Sequence, residues 1–335
     1  MSESTSIESD NRRIAQHVHY SQGTIGQVDA QQVPRYAGLT TFGRLPRLED
    51  VQRYDTAVVG VPFDAGVTYR SGARFGPSAI REASRLLKPY NPDMGVMPFQ
   101  TQQVVDAGDV ACSPFDIHVA IDQIHDGLRA LLASGRHFVA LGGDHTIALP
   151  ALQAVDDVTG PVALLHFDAH LDTWNTYFGA PDTHGSPFRR AMEQGLLVKE
   201  HSAHVGIRGS LYDPQDLRDD SEMGFTAVHC TEFDRIGTDG VLARVRERIG
   251  DHPVYVSVDV DVLDPGFAPG TGTPEFGGMS SRELQTMLRG LRGLNVVAAD
   301  VVEVSPPYDH AAVTAVAAAN IAYELITVMA AKDME

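Results

Sequence analysis

Only two cysteines, Cys112 and Cys230, occur in the 335 residues, with no disulfide framework and no paired-cysteine metal spacing. That excludes a disulfide-stapled secreted module and a thiolate-held structural zinc, and it points to a reducing compartment, the cytoplasm by default. Basic residues are also in deficit: 26 Lys and Arg stand against 44 Asp and Glu, for a formal net charge of −18. Such a field repels phosphate backbones and anionic lipid headgroups, so nucleic acid and membrane surfaces are poor partners. A long uncharged hydrophobic run is missing as well. The nearest approach, Ala311 to Ala331, is interrupted by Asn320 and Glu324 and is expected to be a buried or subunit-packing helix. From Met1 to about Arg35 the chain is polar, with no apolar signal core. We expect a flexible arm over 1–35 ahead of a single α/β domain over 36–335, a length that one α/β domain routinely reaches.

What the chain does have is a series of short Val- and Ile-rich runs separated by helical patterns. The runs are Ala57 to Val61, Phe138 to Leu141, Val162 to Phe167, Val205 to Ile207, Val254 to Val258 and Val296 to Val304. This alternation predicts a three-layer α/β/α fold on a mainly parallel central sheet. Asp116 to Ala133 carries apolar residues at helical spacing. Pro77 suits a helix start, and Ser280 with Glu283 makes a capping-box spacing. Each run is followed by polar, Gly- or Asp-bearing residues, which is where the active sites of open α/β sheets lie.

Chemistry concentrates at those run ends. The segment His166-Phe167-Asp168-Ala169-His170-Leu171-Asp172 follows one apolar run. Strand alternation would put Asp168, His170 and Asp172 on one face. Val258-Asp259-Val260-Asp261-Val262 repeats the device with two carboxylates, which repel unless a cation neutralises them. Asp264, three residues on and before Pro265, reads as a turn or capping residue. Gly142-Gly143-Asp144-His145 follows a third run and places His145 at a helix opening. Four carboxylates and two imidazoles suffice for two ions with a place left for water, and a mixed O/N donor set suits Mn²⁺, with Ni²⁺, Co²⁺ or Zn²⁺ not excluded. Two-metal sites lower the pKa of water from about 15.7 toward 7, so hydrolysis is the expected chemistry.

The chain resembles the ureohydrolase (arginase and agmatinase) family in these motifs and in three more: His184-Gly185-Ser186-Pro187-Phe188, Pro269 to Glu275, and Glu303-Val304-Ser305-Pro306-Pro307-Tyr308. The resemblance implies one manganese held by His145, Asp168, Asp172 and Asp259 and another by Asp168, His170, Asp259 and Asp261, with Asp168 and Asp259 bridging. It implies that Asp172 orients the hydroxide, that Glu303 pairs with the substrate guanidinium and that His184 delivers a proton to the departing amine. It also implies a homo-oligomer, hexamer or trimer. The hydroxyl-rich loop with which arginases grip an α-amino acid is not matched by Trp174 to Thr183, so the chain looks more like agmatinases, guanidinobutyrases and proclavaminate amidinohydrolases.

The expected reaction is hydrolysis of agmatine to putrescine and urea. Trp174, Asn175 and Tyr177 are candidate substrate contacts, and the aromatic faces of Trp174, Tyr177 and Phe178 with the acid Asp182 suit a cationic tail. The alternative is a guanidino acid such as 4-guanidinobutyrate, 3-guanidinopropionate or a proclavaminate-type substrate, gripped by Arg70 and Arg74. A one-zinc deacetylase is disfavoured by the doubled Asp-x-Asp, and a dinucleotide fold by Glu275 standing where a third glycine is required. A non-catalytic metal-binding scaffold is a remote reading, because the whole ligand set is intact.

Overall fold

A computed structural model describes residues 16–133 and 135–332. The strands are β1 (His17–His19), β2 (Ile25–Val28), β3 (Thr56–Val61), β4 (Val104–Asp109), β5 (His137–Gly142), β6 (Ala163–Phe167), β7 (Ala203–Ile207), β8 (Thr226–His229), β9 (Val254–Asp259) and β10 (Val296–Val302). The helices used below are α1 (Gly76–Ser84), α2 (Ile117–Leu131), α3 (Ala148–Thr159), α4 (Pro187–Glu193), α5 (Gln215–Met223), α6 (Cys230–Ile249), α7 (Ser281–Arg289) and α8 (Val313–Ala330).

Eight strands form one sheet in the order β4-β3-β5-β10-β9-β6-β7-β8, and every pairing in it is parallel. Period two separates the strand residues into two apolar layers. Val58, Val139, Leu141, Leu165 and Val256 pack with α6, α7 and α8 on one face. Ala57, Phe138, Ala140, Leu164 and Tyr255 pack with α2 and α3 on the other. This is the three-layer α/β/α fold expected from the alternation, and the sheet is parallel throughout.

Local chemistry explains the helix ends. The Asp116 carboxylate accepts from His118 N at 3.0 Å and Val119 N at 3.2 Å, starting α2, whose stripe Ala120, Ile121, Ile124, Leu128 and Leu131 is buried. Ser280 Oγ accepts from Glu283 N at 3.2 Å while Glu283 Oε2 accepts from Ser280 N at 2.8 Å, the reciprocal cap anticipated for α7. Helix α8 is long and apolar enough to cross a membrane, yet most of it is buried within the fold.

Of the arm expected over 1–35, residues 1–15 lie outside the described residues. From His17 the chain forms the antiparallel pair β1–β2. Side chains rather than an apolar core hold it down: Gln103 Oε1 accepts from Ile25 N at 2.8 Å, and Gln27 Nε2 donates to Gly43 O at 2.6 Å.

Register then brings the chemistry together. Leu141 pairs with Val301, Val302 with Asp259, and Val258 with Phe167. The C-terminal ends of the four central strands β5, β10, β9 and β6 are therefore level, and the residues that follow them share one crevice.

Candidate metal centre

The run after β6 does not continue as a strand. Sheet pairing ends at Phe167, so alternation is not what unites Asp168, His170 and Asp172; a loop does it. His170 N donates to Asp168 Oδ1 at 2.6 Å, and Ala169 N donates to Asp261 Oδ1 at 3.1 Å. After β9 the same correction applies. Asp259 ends the strand, its Oδ1 accepts from Asp261 N at 2.7 Å, and a 3-10 turn over Val260–Val262 carries Asp261. Asp264 behaves as the turn residue it was read to be: Oδ1 accepts from Gly266 N at 2.9 Å and Oδ2 from Gly277 N at 3.0 Å.

Gly143 lets the third segment approach. A Cβ there would lie 2.5 Å from Val61 O and 2.6 Å from Phe63 O, and φ is +22°, so the chain turns where no side chain fits. Asp144 then caps the turn over His145–Ile147 by accepting from Thr146 N at 2.9 Å. Asp172 and Glu303 also have positive φ, +55° and +66°, a region costly to side chains other than glycine.

His145 Nδ1 is the focus. It is buried with no hydrogen-bond partner, and carboxylate oxygens surround it at 2.9 Å from Asp172, 3.1 Å from Asp168 and 3.5 Å from Asp259. Its other nitrogen, Nε2, lies 2.8 Å from Ser257 Oγ, and that hydroxyl donates to Asp300 Oδ1 at 2.6 Å. The hydroxyl is thus free to accept from Nε2–H, which leaves the Nδ1 lone pair for a cation. Around it, donor atoms of His145, His166, Asp168 and Asp172 lie within 4.8 Å of one another, as do those of Asp168, His170 and Asp261. Asp168 belongs to both groups. His170 Nδ1 is 3.2 Å from both Asp168 Oδ1 and Asp261 Oδ2.

The electrostatics are those of a site built for positive charge. Burial and the neighbouring carboxylates Asp261 and Asp168 push Asp259 well above the usual carboxylate range. Burial and Asp168 push Asp261 up to about 6. Burial opposes charge on His145, yet the carboxylates of Asp168, Asp172 and Asp259 outweigh it and raise its pKa well above the imidazole norm. An orphaned lone pair inside a ring of like charges, with oxygen and imidazole donors only, fits divalent cations.

His184 and Glu303 meet beside this cluster. His184 Nδ1 lies 2.9 Å from Glu303 Oε1, and His184 Nε2 lies 2.7 Å from Thr68 Oγ1. Glu303 Oε1 also accepts from His145 N at 2.9 Å, while its Oε2 is buried and unpartnered. A Cβ at Gly272 would stand 3.2 Å from that oxygen, so the glycine leaves room there. Burial opposes protonation of His184, but the Glu303 carboxylate prevails and raises it to about 9.

The expected tail residues separate. Trp174 lines a cavity of about 90 Å³ together with His170, Asp172 and His184. Tyr177 stacks on Trp174, with ring centroids 5.5 Å apart, and both line a neighbouring cavity of about 230 Å³ with Asn175. Asn175 Oδ1 accepts from Arg190 Nη2 at 3.2 Å. Asp182 faces His118 at 3.5 Å and does not line the inner cavity. Arg74 is tied to Asp64, and Arg70 lies over the rings of Tyr308 and Tyr69; neither reaches the inner cavity.

Sequence reasoning missed the supports. His166 Nε2 holds Asp168 Oδ2 at 2.8 Å, and His166 Nδ1 meets His204 Nδ1 at 2.7 Å. Arg208 Nη2 donates to Asp261 O, Leu263 O and Glu275 O, and Nη1 to Gly206 O and Val262 O. The available signal was a charge inside an apolar run: Asp300 is the one ionisable residue between Val296 and Val302.

The model of the Arginase family matches residues 54–327. The chain belongs to the arginase family. Guanidinopropionase of Pseudomonas aeruginosa is 44% identical over 304 residues, covering 90% of this chain and 95% of the relative. The solved structure of proclavaminate amidino hydrolase from Streptomyces clavuligerus superposes with a TM-score of 0.86 at 43% identity, covering 90% of this chain and all of that one. A structure titled as a hypothetical agmatinase from Burkholderia thailandensis gives a TM-score of 0.80 at 40% identity, covering 88% and 92%. Arginase-family proteins use a binuclear metal site and hydrolyse guanidino compounds, and the clustered donors here match that chemistry.

Proposed function

We propose that this arginase-family hydrolase acts on agmatine, releasing putrescine and urea, with two Mn²⁺ ions per subunit; Ni²⁺, Co²⁺ or Zn²⁺ would suit the same donors. His145, Asp168, Asp172 and Asp259 would hold one ion, and Asp168, His170, Asp259 and Asp261 the other. Bound there, the pair supplies hydroxide at neutral pH by lowering the pKa of water toward about 7. The observation that carries the guanidinium site is Glu303 Oε2, a buried carboxylate oxygen with no donor.

In this reading Glu303 Oε2 accepts from the planar guanidinium, whose N–H groups match a carboxylate fork. Asp172 would orient the attacking water toward the guanidinium carbon. His184, held through Nδ1 by Glu303, carries the proton that the departing amine nitrogen needs as the C–N bond breaks. Trp174 covers the inner cavity from the side of Gly185, where a Cβ would meet its ring at 2.8 Å.

A cationic tail is favoured over a carboxylate because the two arginines expected to clamp an acid do not line the inner cavity, Arg74 being tied to Asp64 and Arg70 lying over two tyrosines, while Arg208, which does line it, has both terminal nitrogens on backbone carbonyls. The names of the relatives divide between agmatine and guanidino acids, so substrate identity has to come from kinetics. Chelation should abolish urea release and Mn²⁺ restore it. kcat/KM should rank agmatine above 4-guanidinobutyrate, 3-guanidinopropionate and arginine. A guanidino acid ahead of agmatine by about tenfold, about 1.4 kcal/mol of transition-state preference, would replace agmatine as substrate.

A further inference from the structure

A file of buried polar side chains runs away from the candidate metal centre behind Asp168. His166 Nε2 lies 2.8 Å from Asp168 Oδ2, His166 Nδ1 lies 2.7 Å from His204 Nδ1, and His204 Nε2 lies 3.2 Å from Asp220 Oδ1. Asp220, on α5, also accepts from Thr173 Oγ1 at 3.0 Å, and Thr173 directly follows Asp172 in the chain. Strands β6 and β7 and helix α5 thus each contribute one member, and the file ends beside a second proposed ligand. Phe188 packs on the His166 ring and Phe225 on the His204 ring, with centroids 4.3 Å and 4.5 Å apart. Solvent reaches neither imidazole, so each contact in the file has to be satisfied by its own members.

Two roles are open to His166. Its donor atom lies close enough to those of His145, Asp168 and Asp172 to hold an ion with them. With its proton on Nδ1 it would be a ligand; with the proton on Nε2 it is a donor to Asp168. The contact with His204 decides between them, because two ring nitrogens at that distance share one proton and one of the rings has to donate it. Were His166 the donor, its bare Nε2 would face a carboxylate oxygen at 2.8 Å. With His204 as donor, His166 Nε2–H is aligned on Asp168 Oδ2, and the contact left without a hydrogen bond is His204 Nε2 against Asp220. A carboxylate presents only acceptors there, so a proton on His204 Nε2 is what relieves the contact. An imidazole protonated on both nitrogens can only donate through Nδ1.

We propose that His204, backed by Asp220, is a positioning residue for the metal centre: by donating through Nδ1 it fixes the His166 proton on Nε2, so that His166 supports Asp168 and does not itself ligate an ion. This rests on Asp168 being a ligand. Both Asp168 oxygens then accept from a fixed N–H, Oδ2 from His166 Nε2 and Oδ1 from His170 N at 2.6 Å, and each keeps a lone pair for a cation.

The proton is read directly in the metal-free full chain carrying ¹⁵N-labelled histidine. The His166 resonances, assigned by their loss in His166→Gln, should show Nε2 protonated and Nδ1 bare. Mn²⁺ binding, titrated by electron paramagnetic resonance, reads the consequence without turnover. His204→Phe keeps a ring against Phe225 but has no N–H, and should weaken Mn²⁺ by about tenfold to a hundredfold, whereas His204→Gln, which retains an amide donor, should stay within about threefold. Packing alone would give the opposite order. Should His204→Phe unfold during the titration, Asp220→Asn, whose amide can donate to His204 Nε2 and leave Nδ1 the donor, is expected to bind Mn²⁺ more tightly than Asp220→Leu. A bare His166 Nε2 in the unsubstituted chain, or Mn²⁺ held by His204→Phe as tightly as by His204→Gln, overturns the proposal while the ligand set stands. Mn²⁺ affinity indifferent to Asp168→Ala overturns the ligand set itself.

Discussion

Replacing Glu303 by glutamine removes one charge at the point where substrate binding and proton delivery meet. Glu303 Oε1 accepts from His145 N and from His184 Nδ1, each at 2.9 Å. A glutamine carbonyl can keep both bonds, and the positive φ at this position is no worse for glutamine than for glutamate. The change falls on the unpartnered Oε2. There an amide NH₂ would present donors to a guanidinium that has only donors. Truncating one partner of a buried charge pair costs about 2–5 kcal/mol, so kcat/KM should fall by about thirtyfold to several thousandfold.

A second effect has a definite sign. The Glu303 carboxylate raises His184 to about 9 against the opposing effect of burial. Without the charge, burial prevails and the proton is lost at lower pH. Because the folded pKa is raised, the stabilisation from this pair is fully present below about pH 6.5 and fades as pH rises through about 9. Glu303→Gln should therefore shift the basic limb of kcat downward and flatten the loss of stability over that window. The assay is urea release from agmatine between about pH 6 and pH 10, with metal content per subunit measured on the same samples. A kcat/KM within about threefold of the unsubstituted enzyme, with metal retained, would refute the role given to Glu303.

Asp168→Ala should empty both ion positions, since Asp168 lies beside His145, His166 and His170; elemental analysis showing full metal retention would remove it as a bridge. Gly76→Ala should destabilise the fold by about 1–3 kcal/mol, because the added Cβ would stand 2.6 Å from Gly142 O and 2.8 Å from Val304 O, between the segments that carry His145 and Glu303. Urea denaturation with an unchanged midpoint would show that α1 can shift away.

The centre was legible in the sequence because metal ligation demands particular residue types, and Asp168, His170, Asp259 and Asp261 keep those types in tight spacing at the ends of apolar runs. The means of convergence was not legible. Strand alternation was the natural inference from Asp-x-His-x-Asp, but the strands stop short, and loop hydrogen bonds from His170 N, Ala169 N and Asp261 N make the geometry. Links across long separations, such as His184 to Glu303 or Ser257 to Asp300, leave no periodic trace. Strands β4 and β8 leave a weaker trace for a different reason: they are the edges of the sheet, and their apolar signal is diluted by partly exposed or polar residues such as Asp106 and His229.

Asp172 and Glu303 occupy left-handed backbone, a conformation that costs an ordinary residue about 1–2 kcal/mol relative to its preferred geometry. Glycine, or asparagine to a lesser degree, would sit there more comfortably. At these two places the mutations that most readily relax the chain are thus also ones that remove a reacting carboxylate. A lineage screened for robustness alone would drift toward a sturdier protein with no chemistry. The acids at these two positions are thus held against the backbone's own preference.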